Sequence, residues 1–298
     1  MSDSQMMAQV RDKPGFIAAL DQSGGSTPKA LAAYGIAADA YPDGAAMFQL
    51  IHEMRVRIIT APSFNGDKVI GAILFEKTMD GEAHGQSVPA YLWKERGVVP
   101  FLKVDKGLED EKDGVQLMKP IPGLDDLLAR AAALGVFGTK MRSVINLASQ
   151  SGIAAIAEQQ FAFAEQIGAR GLVPILEPEV LLKSSERAAA EDILFTELKK
   201  GLDALPAHRD VMLKLSIPVK PDLYAPLVAH PRVVRVVALS GGYSRDEACV
   251  ELAKNHGMIA SFSRALLDDL RHQMSEAEFD AALGTAIDQI YRASTIKV

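Results

Sequence analysis

Eight short runs of apolar, mostly β-branched residues punctuate the chain, and between them apolar positions recur at helical spacing. The runs are Phe16–Asp21, Val69–Phe75, Val98–Val104, Phe137–Arg142, Leu172–Glu179, Val211–Ser216, Val233–Ser240 and Met258–Ser263. Several are apolar at consecutive positions, as in Gly71-Ala72-Ile73-Leu74-Phe75 and Val236-Val237-Ala238-Leu239. Strands covered on both faces read this way, whereas a half-exposed strand alternates. The stretches Asp125–Leu134, Ser143–Ile167, Ala188–Leu205, Ser244–Asn255 and Glu276–Ala293 carry the helical period. Eight strands alternating with helices predict an α/β fold, a (β/α)8 TIM barrel forming one domain over residues 1–298. The alternative is an open doubly wound sheet, which would place a Gly-x-Gly-x-x-Gly turn after its first strand. Here that strand runs instead into Asp21-Gln22-Ser23-Gly24-Gly25-Ser26.

The polar residues fall where a barrel would use them. Asp21, Lys103, Lys140, Arg142, Glu177, Glu179, Lys214, Ser240 and Arg264 all stand at, or just past, the ends of the runs. In a closed parallel barrel those ends converge on one face, where active sites form. The pairs 140/142 and 177/179 have period 2, so each pair points to one side of its strand. A charge aimed into a barrel is costly unless it is paired or used.

Composition narrows the setting. Apolar residues make up 48% and charged residues 23% of 298, an ordinary globular balance. The net charge of -6 argues against nucleic-acid binding, so an anionic ligand would need local cations. Cys249 is the only cysteine, which fits a reducing cytoplasm. The polar N-terminus, Met1 to Lys13, and the lack of any run of about 18 apolar residues predict neither a signal peptide nor a membrane span.

Three segments carry candidate chemistry. In Val211-Met212-Leu213-Lys214-Leu215-Ser216, a lysine lies within an apolar strand. Burial disfavours its ammonium form, and Lys140 two strands earlier is expected to push the same way. A neutral amine is what a Schiff-base nucleophile requires. A buried salt bridge from Lys214 to Glu177 or Glu179 accounts for the same residue without catalysis. In Leu176-Glu177-Pro178-Glu179 two carboxylates share a face, giving an acid/base and a fixed anion, or simply solvated strand-end acids. In Leu239-Ser240-Gly241-Gly242-Tyr243-Ser244-Arg245-Asp246-Glu247 a strand runs through a glycine turn into a helix start, with Ser244 as N-cap and Glu247 three residues on. Such a turn lets backbone N–H groups approach a phosphate, and barrel phosphate sites typically follow strands seven and eight. A glycine turn without a ligand is the plain alternative. Cys249, Trp93 and the Met6-Met7 pair read as packing residues, and Glu109–Asp113 as a solvated loop.

Seven segments in order resemble class I fructose-bisphosphate aldolases, most closely the shorter bacterial form of about 300 residues. They are Ala18 to Ser26, Leu102 to Gly107, Gly138 to Arg142, Leu176 to Glu179, Leu213-Lys214, Leu239 to Gly242 and Ser261 to Arg264. The resemblance runs from Gly15 to about Leu267. It implies a lyase of glycolysis and gluconeogenesis (EC 4.1.2.13) that cleaves fructose 1,6-bisphosphate, and tagatose 1,6-bisphosphate as a close variant. It implies Lys214 as the Schiff-base lysine, Lys140 as the second lysine and Glu177 as the general acid/base. Asp21 would orient the C3–C4 region, with Arg142 and Glu179 as supports. Ser240, Gly241, Gly242 and Arg264 resemble the C1-phosphate site, and Ser23, Ser26 and Lys103 the site for the other phosphate.

No cofactor or metal is expected beyond the covalent Schiff base. The six histidines, His52, His84, His208, His230, His256 and His272, show no metal-ligand spacing and read as surface residues on helices or loops. The implied partner is a small phosphorylated sugar, with neither nucleic acid nor membrane, in the cytoplasm. A non-catalytic phosphosugar-binding or scaffolding barrel is the rival from another class. Three departures from longer relatives stand out: Gln22 in place of an acid, Ala30 in place of an arginine, and an end at Ile296-Lys297-Val298 without a terminal tyrosine. Another group, or water, must then move the proton at C3.

Overall fold

In a computed structural model that describes residues 2–298, eight parallel strands form a sheet whose spatial order follows the sequence. They are β1 (Phe16–Leu20), β2 (Val69–Leu74), β3 (Val99–Lys103), β4 (Gly138–Ile145), β5 (Val173–Val180), β6 (Val211–Ser216), β7 (Val233–Leu239) and β8 (Met258–Ala260). The ring closes where the Ala19 amide donates to Phe262 O at 3.2 Å, joining the first strand to the segment after the last. Helices separate the strands, including Gly44–Thr60, Gln150–Ala169, Arg187–Ala204, Arg245–Ala253 and Glu276–Thr295. This is the (β/α)8 barrel that the alternating pattern predicts.

One helical expectation needs correction. Residues 143–145, assigned to a helix on periodicity, complete β4. Val144 and Ile145 pair in parallel with Glu179 and Val180, and in antiparallel with Gln116 and Val115. Ser143 is buried, and its hydroxyl accepts from Gln160 Nε2 at 3.0 Å. The helix begins only at Gln150, capped by Ser149 Oγ, which accepts from the Gly152 amide. Apolar β-branched residues fit either period over so short a window, and pairing on both edges decided for strand.

Two apolar clusters divide the interior. The larger lies between strands and helices, and contains Phe16, Ala18 and Leu20 of β1. The smaller fills the barrel, and contains Ile17 and Ala19 from the same strand with Ile70, Ile73, Val99, Phe101, Ile175, Met212, Val237 and Ile259. Period 2 assigns alternate residues of one strand to the two cores. Gly138 is required by this packing: a Cβ there would lie 2.2 Å from Val173 O and 2.9 Å from the Phe101 ring.

The end of the barrel at which the strands begin is plugged. Helix α1 (Ser2–Asp12) inserts Met6 and Val10 into the inner cluster, against which Met7 and Trp93 also pack. Gln9 Nε2 donates to Ile70 O and Gly97 O, and Arg235 Nε donates to Val10 O, so the helix is tied across that opening. The opposite end stays open. None of the described helices is long and apolar enough to cross a membrane.

Candidate active site

The inward series of each strand changes from apolar to ionisable at the open end. Ile17 and Ala19 lead to Asp21, Val99 and Phe101 to Lys103, Ile175 to Glu177 and Glu179, and Met212 to Lys214. The ionisable members, Asp21, Lys103, Glu177, Glu179 and Lys214, line one cavity of about 970 Å³, together with Lys140, Arg142, Ser240, Gly241 and Arg264. Lys214, Lys140 and Glu177 are 3–4% exposed, so the charges meet with almost no water between them.

Glu177 bridges the two lysines. Its Oε1 stands 3.1 Å from Lys214 Nζ and its Oε2 2.5 Å from Lys140 Nζ. Lys140 Nζ also donates to Asp21 Oδ2 at 2.8 Å. Alongside, Arg142 Nε donates to Glu179 Oε2 at 2.5 Å, and Lys103 Nζ to Asp105 Oδ1 at 2.7 Å. Four cations (Lys103, Lys140, Arg142, Lys214) thus face four carboxylates (Asp21, Asp105, Glu177, Glu179), and the cluster is charge-balanced.

The balance sets the protonation of its members. Burial opposes ionisation of Asp21, but the ammoniums of Lys140, Lys214 and Lys103 outweigh it and hold the carboxyl well below its ordinary range. For Glu177 burial again opposes charge, and Lys140 and Lys214 again prevail, bringing it below the ordinary glutamate value. Burial likewise disfavours the Lys140 ammonium, yet Asp21, Glu177 and Asp105 raise it well above an ordinary lysine. Lys140 is a permanent cation here. The second cation expected beside Lys214 is present, but with the Glu177 carboxylate interposed, so the salt bridge and the catalytic constellation are the same contact.

The glycine turn takes the form its sequence predicts. Gly241 and Gly242 adopt φ of 60° and 115°, a left-handed backbone that side chains rarely tolerate. The Tyr243 amide donates to Ser240 O at 2.9 Å. Ser244 and Glu247 form the reciprocal capping box of helix Arg245–Ala253. A Cβ on Gly242 would lie 3.6 Å from Arg264 Nη2, which places the guanidinium over the turn. Ser240, Gly241, Gly242 and Arg264 are therefore brought together.

The other set is looser. Ser23 and Ser26 lie at the cavity rim, and Ser26 Oγ is used within the turn, donating to Ser23 O and accepting from its amide. Lys103 is paired with Asp105, and Ala30 leaves that wall without a guanidinium. Gln22 donates through Nε2 to Ser263 Oγ at 2.5 Å, linking the ends of β1 and β8.

Two residues escaped the sequence reading. Arg55 is 1% exposed and donates to Gln22 O at 2.5 Å and Thr78 Oγ1 at 2.8 Å. Burial lowers its pKa to about 10, and Asp21 is the charge that opposes this. Its signal was an arginine midway between Ile51 and Ile59 on a buried helix face. Asp105 lies within the segment Leu102 to Gly107 and carries no role there, although it stands two residues beyond Lys103.

Among the described residues, no three His, Cys, Asp or Glu side chains are grouped to hold a metal ion. A profile described as fructose-bisphosphate aldolase class-I matches residues 12–215. The chain belongs to the class I fructose-bisphosphate aldolases. The matched span runs from the strand before Asp21 to Lys214, and so includes every strand end of the charged cluster. Among solved structures, the fold is shared with a fructose-bisphosphate aldolase from Plasmodium falciparum, solved in complex with TRAP and a small molecule inhibitor. That similarity has a TM-score of 0.79 at 20% identity, and covers 100% of this chain and 96% of the other. The likeness in fold extends over the whole chain, including the segment with the glycine turn and Arg264 that lies beyond the matched profile.

Proposed function

We propose that this aldolase reversibly cleaves fructose 1,6-bisphosphate to glyceraldehyde 3-phosphate and dihydroxyacetone phosphate through a Schiff base on Lys214. The C4 epimer, tagatose 1,6-bisphosphate, is accepted as a variant. The observation that carries the reading is the Glu177 carboxylate held between two buried lysine amines, 3.1 and 2.5 Å away. Transfer of one proton from Lys214 to Glu177 turns their ion pair into a neutral amine and a carboxylic acid. The net charge of the cluster is unchanged, so the step creates no new buried charge.

The products of that transfer are the two groups the first steps need. Lys214 Nζ attacks the C2 carbonyl, and the Glu177 acid gives its proton to the departing hydroxyl of the carbinolamine. Water leaves and a protonated imine remains. A carboxylate, Glu177 assisted by Asp21, then takes the proton of the C4 hydroxyl. The C3–C4 bond breaks, its electrons pass into the imine, and the aldehyde leaves. Protonation of the resulting enamine at C3 and addition of water to the imine release dihydroxyacetone phosphate and restore the amine.

Lys140 supplies a fixed ammonium beside the hydroxyls, while Arg142 and Glu179 hold one another at the edge of the site. The turn Ser240–Gly242 with Arg264 receives the C1 phosphate at the start of helix Arg245–Ala253. Ser23, Ser26 and Lys103 face the distal phosphate. Such fixed contacts at both ends place C2 on Lys214 without a metal.

Borohydride reduction in the presence of dihydroxyacetone phosphate tests the reading. It should leave a stable secondary amine on Lys214, mapped by mass spectrometry of peptides, and irreversible loss of activity. An unmodified Lys214 after complete inactivation, or activity abolished by chelation, would overturn it.

A further inference from the structure

Parallel pairing between β6 and β7 ends at Ser216 and Leu239. Two segments that serve the site continue beyond it: the chain that leaves β6 two residues after Lys214, and the turn Ser240–Tyr243 that follows β7. No strand ladder sets their separation there. A ketose with its C1 phosphate in the turn and its C2 on Lys214 spans a fixed distance, so that separation has to be held by other contacts.

Arg187 supplies them. It is the first residue of helix Arg187–Ala204, after β5, and its side chain is 10% exposed. Its Nη2 donates to the carbonyl of Ile217, the first residue past β6, and its Nη1 to Tyr243 Oη at 3.2 Å. Its Nε donates to Glu191 Oε1 at 2.8 Å, one helical turn on. Glu191 is 1% exposed, and its Oε2 accepts from the Val219 amide at 2.8 Å. One buried ion pair therefore grips the chain after β6 twice and the turn once. Tyr243 is tied at both ends, because its amide donates to Ser240 O while its ring packs against the outer apolar cluster. Arg187, Glu191 and Tyr243 stand behind the residues that line the cavity, so they act on the turn and not on the substrate.

We propose that Arg187, acting through Tyr243, is a positioning residue that sets the C1-phosphate turn at its working distance from Lys214. The assignment rests on the aldolase reading above. A guanidinium suits the task because its planar fork reaches three acceptors in fixed directions, which an ammonium on a flexible stem does not. A residue that merely stabilised the fold would affect all ketones alike. A residue that places the turn affects those that carry the phosphate and spares one that lacks it.

The test compares two ketones, dihydroxyacetone phosphate and dihydroxyacetone, as second-order rates of inactivation with cyanoborohydride, the adduct on Lys214 being measured by mass spectrometry. The ratio of the two rates reads what the phosphate contributes. Wild type should favour the phosphorylated ketone by about 100-fold or more. Tyr243→Phe removes only the hydroxyl and should lower the ratio about 10-fold. Arg187→Met should lower it about 10- to 100-fold, since a displacement of about 1 Å suffices. Arg187→Lys keeps the charge without the fork and should fall with Arg187→Met. The double variant Arg187→Met, Tyr243→Phe should fall no further than Arg187→Met alone, because both changes cut one contact. Each ratio is taken on one protein preparation, so a smaller folded fraction cancels. A wild-type ratio kept in Tyr243→Phe and Arg187→Met, a wild-type ratio kept in Arg187→Lys, or losses that multiply in the double variant would each overturn the assignment. Any of these leaves the aldolase reading intact, because Lys214 is still trapped. Wild-type enzyme that forms no adduct on Lys214 would overturn both.

Discussion

The two ends of this barrel are built from the same eight strands and differ in what the inward positions carry. At the end where the strands begin, Ile17, Ile70, Val99 and Val173 pack with Met6 and Val10 of the N-terminal helix into a dry plug. At the other end Asp21, Lys103, Glu177 and Lys214 continue those inward rows as a charged cluster open to a cavity. The plug is stabilised mainly by burial and dispersion, with hydrogen bonds from Gln9 and Arg235 tying the helix across it. The cluster contributes little net stability, since desolvation consumes most of its Coulombic attraction, yet it holds eight ionic groups in fixed positions. One end makes the barrel fold, and the other uses the barrel's rigidity for chemistry.

The sharpest way to break this division is at Lys214. Lys214→Ala should lower kcat by about four orders of magnitude or more. Glu177 keeps Lys140 at 2.5 Å, so thermal stability should stay near that of wild type. Lys140→Ala should behave differently, because it leaves Asp21 and Glu177 without their shared cation. A kcat loss of about 10²- to 10³-fold should come with a destabilisation of about 3–5 kcal/mol, read from kinetics and denaturant unfolding together. Wild-type kcat in Lys214→Ala would identify a different nucleophile.

Ile70→Ala at the plug should do the reverse of Lys214→Ala. It should cost about 2–5 kcal/mol of stability through the cavity it leaves, with kcat/KM of the folded enzyme unchanged. The smallest effect is the pH dependence. Asp21 and Glu177 have folded-state pKa values below those of the unfolded chain, whose ordinary values are 3.8 and 4.5. Their contribution is therefore complete above those unfolded values and is lost as pH falls through them toward the lowered folded ones. Melting temperature should drop on acidification, and Asp21→Asn should flatten that slope whereas Ile70→Ala should leave it unchanged.

Much of the charged end was legible along the chain because strand period is strict. The spacing of 140/142 and 177/179 placed each pair on one face, and residues 140 and 142 do point together toward Glu177 and Glu179. The Ser-Gly-Gly turn and its capping box were also readable, since both are local motifs. Residues 143–145 were misassigned because their strand character comes from partners 28–30 residues before them and 35 residues after them. Arg55 and Asp105 were missed for a related reason. Their roles depend on which groups the fold brings to them: a carbonyl of Gln22 for the first, and the ammonium of Lys103 for the second.

The chain order of apolar and polar positions by itself determined an eight-strand alternation, the inward rows and the chemical types at their ends, because those follow from backbone periodicity and from the cost of burying charge. Only the closed tertiary structure decided that Glu177 stands between Lys140 and Lys214, and that Lys140 also reaches Asp21. Distances between residues on different strands depend on how the ring closes, and no local spacing encodes them.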